Sequence, residues 1–484
     1  MVLKCYVKHK VSANFARNIG LVILLNLLIK PTGLLLEMLV QNKVGNELWG
    51  VFASLFSFAF IFSVLSDLGI NQFLTKSVAE SPALLKRLFP QLFWTKVLLI
   101  IIYPFMLVFL GYLMGFETHH LFYLALMSSA HAILQMNNFL RGNFQGFQLF
   151  KLDAFAANFD KVLIITLTAC LLWLYQDPEV VFDRYFFLRW VAPFVTFLTL
   201  LVLTYYNGLW VGAKVKWRSL RAVLPKAFPF AWMAILYSVN EKVDQVMVER
   251  LHSATEAGVY SAAYRWLDAF MMYLWVILPM FFSRFAYFNK DITQQNKLLR
   301  SGNMITIIPF MTIGIFICWY GDIFFFIFSN SSASEISKMN LNLKVLSAVL
   351  ILHGFSAILS TYLTSTGYAR YVNKLLFLSI SINIILNIIF IPENGSTAAA
   401  IATLISTVIL TAGYIIFITK NGLVTIPFKD WLVLIGIGGV GTLLTYILSI
   451  YNVEWYIAII LLCATIAGMT LSLKIIRISD LKGL

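Results

Sequence analysis

Charged residues are scarce in this sequence. Only 12% of the 484 residues are Asp, Glu, Lys or Arg, whereas 60% are hydrophobic. A soluble globular domain carries about 25% charged residues. The segments between the long apolar runs are all short, which excludes a separate soluble catalytic domain. We therefore expect lipid to be the main solvent of this chain.

Cysteine is also rare, and its placement argues against a metal site or a disulfide framework. The four cysteines lie far apart, without metal-ligand spacing, at Cys5, Cys170, Cys318 and Cys463. The sequence also lacks a phosphate-binding glycine loop, a nucleophile elbow and a paired-carboxylate motif in a loop. We therefore expect no enzymatic activity, no metal and no cofactor, although a coupling proton or sodium ion is compatible with the charges described below.

Long apolar runs are what the sequence has in abundance. A membrane-spanning helix needs about 20 mainly apolar residues, and the chain contains fourteen such segments. The fifth is the least apolar, because Asp153, Asp160 and Lys161 lie in its first half. The predicted spans are 18–40, 48–70, 93–116, 121–140, 152–175, 186–206, 227–248, 257–283, 304–328, 343–366, 375–391, 398–419, 431–450 and 456–474. The pattern predicts an all-α polytopic membrane protein.

Lys and Arg are distributed unevenly between the two sides of these spans. With the N-terminus in the cytoplasm, the cytoplasmic segments hold 25 of the 36 Lys and Arg residues, and the opposite loops hold only four. Since cytoplasmic loops carry an excess of Lys and Arg, we predict a multi-pass protein of a bacterial inner membrane with both termini cytoplasmic. This bias, with attraction to anionic membrane lipid, explains the net charge of +14, so nucleic acid is not an expected partner. The predicted cytoplasmic loops are 71–92, 141–151, 207–226, 284–303, 367–374 and 420–430.

Two outer turns of the predicted topology resemble each other. Gly50-Val51-Phe52 aligns with Gly258-Val259-Tyr260 at an offset of 208 residues, and each triplet lies where the chain enters an even-numbered span. An offset of six spans preserves orientation, so the two halves are predicted to be parallel repeats about an axis along the membrane normal. The predicted parts are a six-helix lobe at 1–206, a basic linker at 207–226, a second six-helix lobe at 227–419, and helices 13 and 14 with a tail at 420–484.

The sequence around these turns resembles a known family of exporters. The region from Val44-Gly45-Asn46-Glu47 to Ser66-Asp67-Leu68-Gly69-Ile70, and the run from Glu256 to Arg265, are similar to the corresponding segments of polysaccharide exporters. These belong to the multidrug/oligosaccharidyl-lipid/polysaccharide exporter superfamily, and the branch most similar to this chain is that of the O-antigen and capsule repeat-unit flippases. The resemblance implies two six-helix lobes around a hydrophilic cavity.

The resemblance also implies a function. A polyprenyl-pyrophosphate-linked oligosaccharide is expected to enter the cavity from the cytoplasmic side and to leave outward by alternating access. Its polyprenyl tail is expected to stay in the lipid between the lobes. Proteins of polysaccharide assembly are expected partners.

Cationic side chains within the predicted spans are the candidate substrate-binding residues. An ionisable group inside a span costs about 2.5–3.5 kcal/mol and therefore usually faces a cavity or a partner. Pyrophosphate is an anion, and Arg and Lys are the side chains that bind it. Lys30, near the middle of the first span, and Arg265 are the first choices. The other candidates are Lys242, Arg189, Lys161 and, at the cytoplasmic mouth of span 4, Arg141.

Carboxylates within the same spans leave two roles open. A carboxylate buried in a helix bundle can titrate with a proton or sodium gradient, or it can form an ion pair with a nearby cation. Arg265 and Asp268, for example, are three residues apart on one predicted helix. Arg189 is near enough to the outer interface to extend towards water instead. The candidate ion-coupling residues are Asp244, Glu241, Asp268 and Glu37.

Three alternative functions follow from the same sequence. A cation-coupled multidrug antiporter of the same superfamily shares the fold, but Lys30 in its site would hinder a cationic drug. A lipid II-type flippase is a close neighbour of the favoured reading. A membrane polysaccharide polymerase is the leading enzymatic alternative, and it would be expected to have a larger outer loop or a cytoplasmic domain.

Overall fold

A computed structural model of the chain describes residues 15–80, 85–147, 149–210, 217–289, 291–473 and 475. The described residues are almost entirely helical and contain no β-strand. The segment before residue 15 and the tail after residue 475, on which the predicted cytoplasmic termini rest, lie outside the described residues, as does 211–216 of the predicted linker.

The chain divides into two compact units, Met1–Val246 and Met247–Leu484. The first unit contains α1 (Phe15–Val44), α2 (Asn46–Phe62), α3 (Ile70–Glu80), α4 (Leu85–Leu113), α5 (Thr118–Gly146), α6 (Phe150–Leu174), α7 (Pro178–Tyr206) and most of α8 (Trp217–Leu251). The division falls near the end of α8. The lobes predicted at 1–206 and 227–419 and the appended segment at 420–484 stay a prediction.

The second unit contains the remaining helices. These are α9 (Ala254–Tyr287), α10 (Ile292–Tyr320), α11 (Ala333–Ser365), α12 (Ala369–Lys420), α13 (Phe428–Ile450) and α14 (Trp455–Ser472). Short 3₁₀ turns continue α2 at Ser63–Ser66 and α10 at Gly321–Phe325.

The described helices account for all fourteen predicted spans. Ten of these helices are long and apolar enough to cross a membrane. Three further long helices, α1, α5 and α8, coincide with predicted spans 1, 4 and 7. The 52-residue helix α12 supplies two spans because its backbone breaks at Gly395. The prediction of an all-α polytopic membrane protein is confirmed.

One segment differs from its prediction. Residues 71–92 were expected to form a cytoplasmic loop, but α3 occupies most of the first half of this segment. Ile70, Leu74 and Val78 are buried and follow one another every four residues, so they form one face of the helix. That face packs against α5, where a Cβ at Gly146 would lie 2.7 Å from Cγ1 of Val78. The sequence pattern did not predict this helix, because its 11 residues lack the apolar length of a span.

Each unit is organised around one central helix. In the first unit, α5 packs against α2, α3, α4 and α7. In the second unit, α11 packs against α9, α10 and α12. These are predicted spans 4 and 10, which are six spans apart, as expected for parallel repeats.

The two aligned triplets occupy equivalent places in their units. Helix α2 begins after Gly45 and helix α9 begins after Ser253, and each triplet starts five residues later. Phe52 and Tyr260, the last residues of the two triplets, are both almost fully buried. The aligned residues therefore pack the starts of α2 and α9 into the two units.

The break in α12 is capped by a carboxylate from α9. Gly395 has a φ of +58°, which only glycine adopts readily. The next backbone N–H, that of Ser396, donates a hydrogen bond of 3.0 Å to Oε2 of Glu256. Lys338 forms an ion pair with the same carboxylate, and Asn342 donates a 3.0 Å hydrogen bond to Oγ of Ser396. Glu256 thus accepts the hydrogen bond of a backbone N–H group at the start of the second half of α12.

Candidate functional site

Helices α1 and α6 approach closely in the first unit. A Cβ at Gly33 of α1 would lie 3.9 Å from Cδ1 of Ile165 of α6. Both helices are odd-numbered spans, so they run in the same direction through the unit. Lys30 lies one turn before Gly33, and Lys161 lies one turn before Ile165. The contact therefore places these two lysines at the same level on facing sides of two helices.

The lysines are accompanied by Asp160, and all three side chains are half-buried. Lys161 interacts electrostatically with Asp160, with Lys30 and with Arg141. Among the residues whose side chains the structure describes, none lies within ion-pair distance of Lys30, Asp160 or Lys161. Two cations near the middle of two spans therefore have no directly bound carboxylate among the described side chains.

Arg141 lies below this level, at the end of α5 that is predicted to be cytoplasmic. Its Nε donates a hydrogen bond of 2.9 Å to Oδ1 of Asp153 on α6, and its Nη1 donates one of 3.2 Å to Oδ1 of Asn138. Gln145 also donates to Asp153, at 3.2 Å. Because Asp153 precedes Lys161 by two helical turns, this pair is about 12 Å below the lysines.

Arg189 and Glu37 lie above the lysines. Nη2 of Arg189 on α7 is 3.2 Å from Oε1 of Glu37 on α1, and the two side chains are 16% and 30% exposed. The guanidinium also lies over the rings of Phe52, Phe56 and Tyr185, 5.1–5.6 Å from their centroids. These rings stabilise the cation in an otherwise apolar setting. Arg189 is therefore held by Glu37 and by aromatic side chains within the first unit.

These seven residues form a column of charge through the first unit. We call it the charge column, and it consists of Arg141, Asp153, Asp160, Lys161, Lys30, Glu37 and Arg189. It contains four cations and three carboxylates, so it has a net positive charge. The arginines at its two ends have carboxylate partners, whereas no described side chain forms an ion pair with the lysines in its middle.

Five of the ten site residues predicted from the sequence belong to the charge column. They are Lys30, Lys161, Arg141, Arg189 and Glu37. Sequence reasoning gave Lys161 and Arg189 little weight, because it could not show that their helices face Lys30 and Glu37.

The other five predicted residues lie on α8 and α9. Lys242, Glu241 and Asp244 are on α8, where Asp244 is 4% exposed. Arg265 and Asp268 are half-buried on α9 in the second unit. All five make polar or electrostatic contacts within the structure. Their assignment to substrate binding or ion coupling stays a prediction.

Two polar features were missed by the sequence analysis. Asp160 was noted only as a reason for the weak fifth span, although an Asp-Lys pair inside an apolar run is itself a signal of a polar site. Lys96 of α4, which is fully buried, forms an ion pair with Asp67. Asp67 precedes Leu68 and Gly69. Their positive φ values of +48° and +78° interrupt the helical backbone at the end of predicted span 2.

The described residues contain no group of three or more His, Cys, Asp or Glu side chains arranged to hold a metal ion.

Several solved structures of membrane transporters have a similar fold. The lipid II flippase MurJ in an inward closed conformation aligns with a TM-score of 0.69 at 15% identity, over 93% of this chain and 98% of that chain. A multidrug resistance MATE family transporter of the MOP superfamily, facing inward, aligns with a TM-score of 0.65 at 13% identity, over 81% and 95%. A MOP superfamily transporter from Pyrococcus furiosus gives 0.58 at 13% identity, over 82% and 93%.

Sequence comparison identifies the family. Comparison with curated protein sequences finds no significant match. The model of a family described as polysaccharide biosynthesis protein matches residues 15–285, which is more than half of the chain. The resemblance predicted from the residues around Gly45 and Glu256 is thereby confirmed. The chain belongs to the polysaccharide biosynthesis protein family and has the fold of the multidrug/oligosaccharidyl-lipid/polysaccharide exporter superfamily.

Proposed function

We propose that this protein exports a polyprenyl-pyrophosphate-linked oligosaccharide across the bacterial inner membrane by alternating access, with both termini in the cytoplasm. The observation that carries the proposal is the pair Lys30 and Lys161, level with each other near the middle of two spans and without a carboxylate at ion-pair distance among the described residues. Membership of the polysaccharide biosynthesis family supports the substrate class.

The lysine pair suits a pyrophosphate for electrostatic reasons. A pyrophosphate carries several negative charges, and moving it through hydrocarbon requires that cations replace its water. Two ammonium groups that are not engaged by carboxylates can bind its oxygens without first breaking an ion pair. Hydrogen bonds between charged groups are stronger than neutral ones, so this pair supplies both affinity and selectivity for the headgroup.

The ends of the charge column suit entry and exit. Arg141 lies on the predicted cytoplasmic side, where it meets an incoming headgroup first, and its second partner is the neutral side chain of Asn138. Arg189 lies beyond the lysines towards the outer side and keeps its orientation through Glu37 and the aromatic rings. A pyrophosphate moving outward would therefore pass cations at each level.

The remaining predicted residues have roles that follow from the same proposal. Arg265 and Lys242 are proposed to contact the substrate from α9 and α8. Asp244, Glu241 and Asp268 are proposed to couple transport to a proton or sodium gradient, since carboxylates within spans can titrate. Glu37, the fourth predicted coupling residue, is engaged with Arg189, so we propose a positioning role for it. O-antigen or capsule repeat units are the proposed cargo, and proteins of polysaccharide assembly are the proposed partners.

Complementation tests this function in cells. Strains lacking their own repeat-unit flippase, each with a different repeat unit, would express the wild type, Lys30→Ala, Lys161→Ala, Arg265→Ala or Asp244→Asn at matched membrane levels. The exposed Lys374→Ala is the control. We expect the wild type and the control to restore surface polysaccharide in at least one strain, and both lysine variants to fail there. Failure in every strain, together with drug resistance that depends on Asp244, would favour the antiporter.

A further inference from the structure

Asp160 differs from the other two carboxylates of the charge column. Asp153 is 2.9 Å from Arg141, and Glu37 is 3.2 Å from Arg189. The carboxylate of Asp160 interacts with the backbone N–H groups of Asp160 and Lys161, but no described side chain is within ion-pair distance of it. Asp160 therefore lies near cations without forming an ion pair with any described side chain.

The cations that interact with Asp160 come from three helices, α5, α6 and α7. Lys161 is its neighbour on α6, and Lys161 in turn interacts with Lys30 of α1. Arg141 of α5 and Arg189 of α7 also interact with Asp160 electrostatically. The carboxylate of Asp160 thus partly neutralises the level of the column where the two lysines meet.

An anionic ligand at the lysines must compete with this charge. When a pyrophosphate binds Lys30 and Lys161, it engages the lysine that Asp160 otherwise partly neutralises, and the carboxylate of Asp160 repels it. A transport site has to release its ligand as well as bind it, so a resident anion beside the binding cations serves both steps.

We propose that Asp160 is the resident counter-ion of Lys161, which partly neutralises the lysine level before the substrate arrives and then repels the bound pyrophosphate, so that it promotes release. This inference rests on the proposed function and adds a residue to it. Its signature is a split between binding and turnover: removing the charge of Asp160 tightens binding and slows release. A residue with only a structural role would weaken both.

The test uses the purified full-length chain in lipid nanodiscs. Binding of farnesyl pyrophosphate is measured for the wild type, Asp160→Asn, Asp160→Ser and Asp160→Glu, with farnesyl monophosphate as a second ligand. Asp177→Asn is the matched control, because it removes the same charge while Asn still caps α7. Thermal unfolding establishes that each variant is folded.

We expect Asp160→Asn to bind farnesyl pyrophosphate about tenfold more tightly, as removal of one like charge at short range predicts. The gain should be smaller for the monophosphate and at high salt, and proteoliposomes containing the variant should translocate lipid-linked substrate more slowly. Asp160→Ser should behave in the same way, while Asp160→Glu and the control should resemble the wild type. If the wild type binds and both neutral variants bind no more tightly, the counter-ion role is wrong and the proposed function stands. If the wild type does not bind pyrophosphate, both fail.

Discussion

Arg189 of α7 and Glu37 of α1 form an ion pair of 3.2 Å between two spans of the first unit. The guanidinium is also surrounded by three aromatic rings, of which Phe56 is the nearest at 5.1 Å. The pair therefore fixes one end of the charge column, in the way that Arg141 and Asp153 fix the other. Between the two pairs lie Lys30 and Lys161, with which no described side chain forms an ion pair.

Removing one partner of the Arg189–Glu37 pair should destabilise the protein. Glu37→Leu leaves a guanidinium that is only 16% exposed without its carboxylate, which costs about 1–3 kcal/mol. The double variant Glu37→Leu with Arg189→Met should lose less stability than the sum of the two single variants. Thermal unfolding in detergent measures this cycle, and strictly additive losses would contradict a direct interaction.

The break in α12 should not tolerate a side chain. Gly395→Ala places a Cβ 2.8 Å from Oε2 of Glu256 and forces a non-glycine residue to adopt a φ of +58°. Such backbone strain costs about 1–3 kcal/mol, so the variant should unfold at a lower temperature. Gly468→Ala is the control, because its Cβ would meet open space in α14. Equal melting temperatures for the two variants would show that Gly395 is not required at the break.

The ion pair between Lys96 and Asp67 should behave as a buried pair. Lys96 is fully buried and Asp67 is 15% exposed, so Asp67→Asn leaves a buried ammonium without its counter-charge. Removing one partner of such a pair costs about 3–5 kcal/mol, whereas replacing both partners is often nearly neutral. Chemical or thermal unfolding should therefore show that Lys96→Met rescues Asp67→Asn. A double variant less stable than Asp67→Asn would refute this account of the pair.

The fold was predictable because its main signal is local. Runs such as 398–419 are apolar over the length of a bilayer, and each can be recognised without knowing its neighbours. Helix α3 was missed because Ile70, Leu74 and Val78 gain their burial from packing against other helices, α4 and chiefly α5. The break at Gly395 lies between two predicted spans, but its cap by Glu256 joins residues that are 140 positions apart.

The site was predictable only in part. Lys30 stands out in the sequence because a lysine in the middle of an apolar run has to be satisfied. Lys161 and Arg189 are also charged, but whether they belong to the candidate site depends on which faces of their helices pack against neighbouring helices. The contact between Gly33 and Ile165 places Lys161 beside Lys30. That contact involves two unremarkable residues and leaves no pattern in the sequence.

The initial rate of translocation in proteoliposomes tests the central claim most directly. A fluorescent polyprenyl-pyrophosphoryl sugar reports its transfer between leaflets, and the wild type is compared with Lys30→Ala, Lys161→Ala, the double variant and the exposed control Lys374→Ala. Each charge-assisted hydrogen bond is worth about 1.5–3 kcal/mol, so each single variant should be about tenfold slower or more, with the control unchanged. A double variant that translocates the lipid at the wild-type rate would contradict the assignment of the two lysines as the headgroup site.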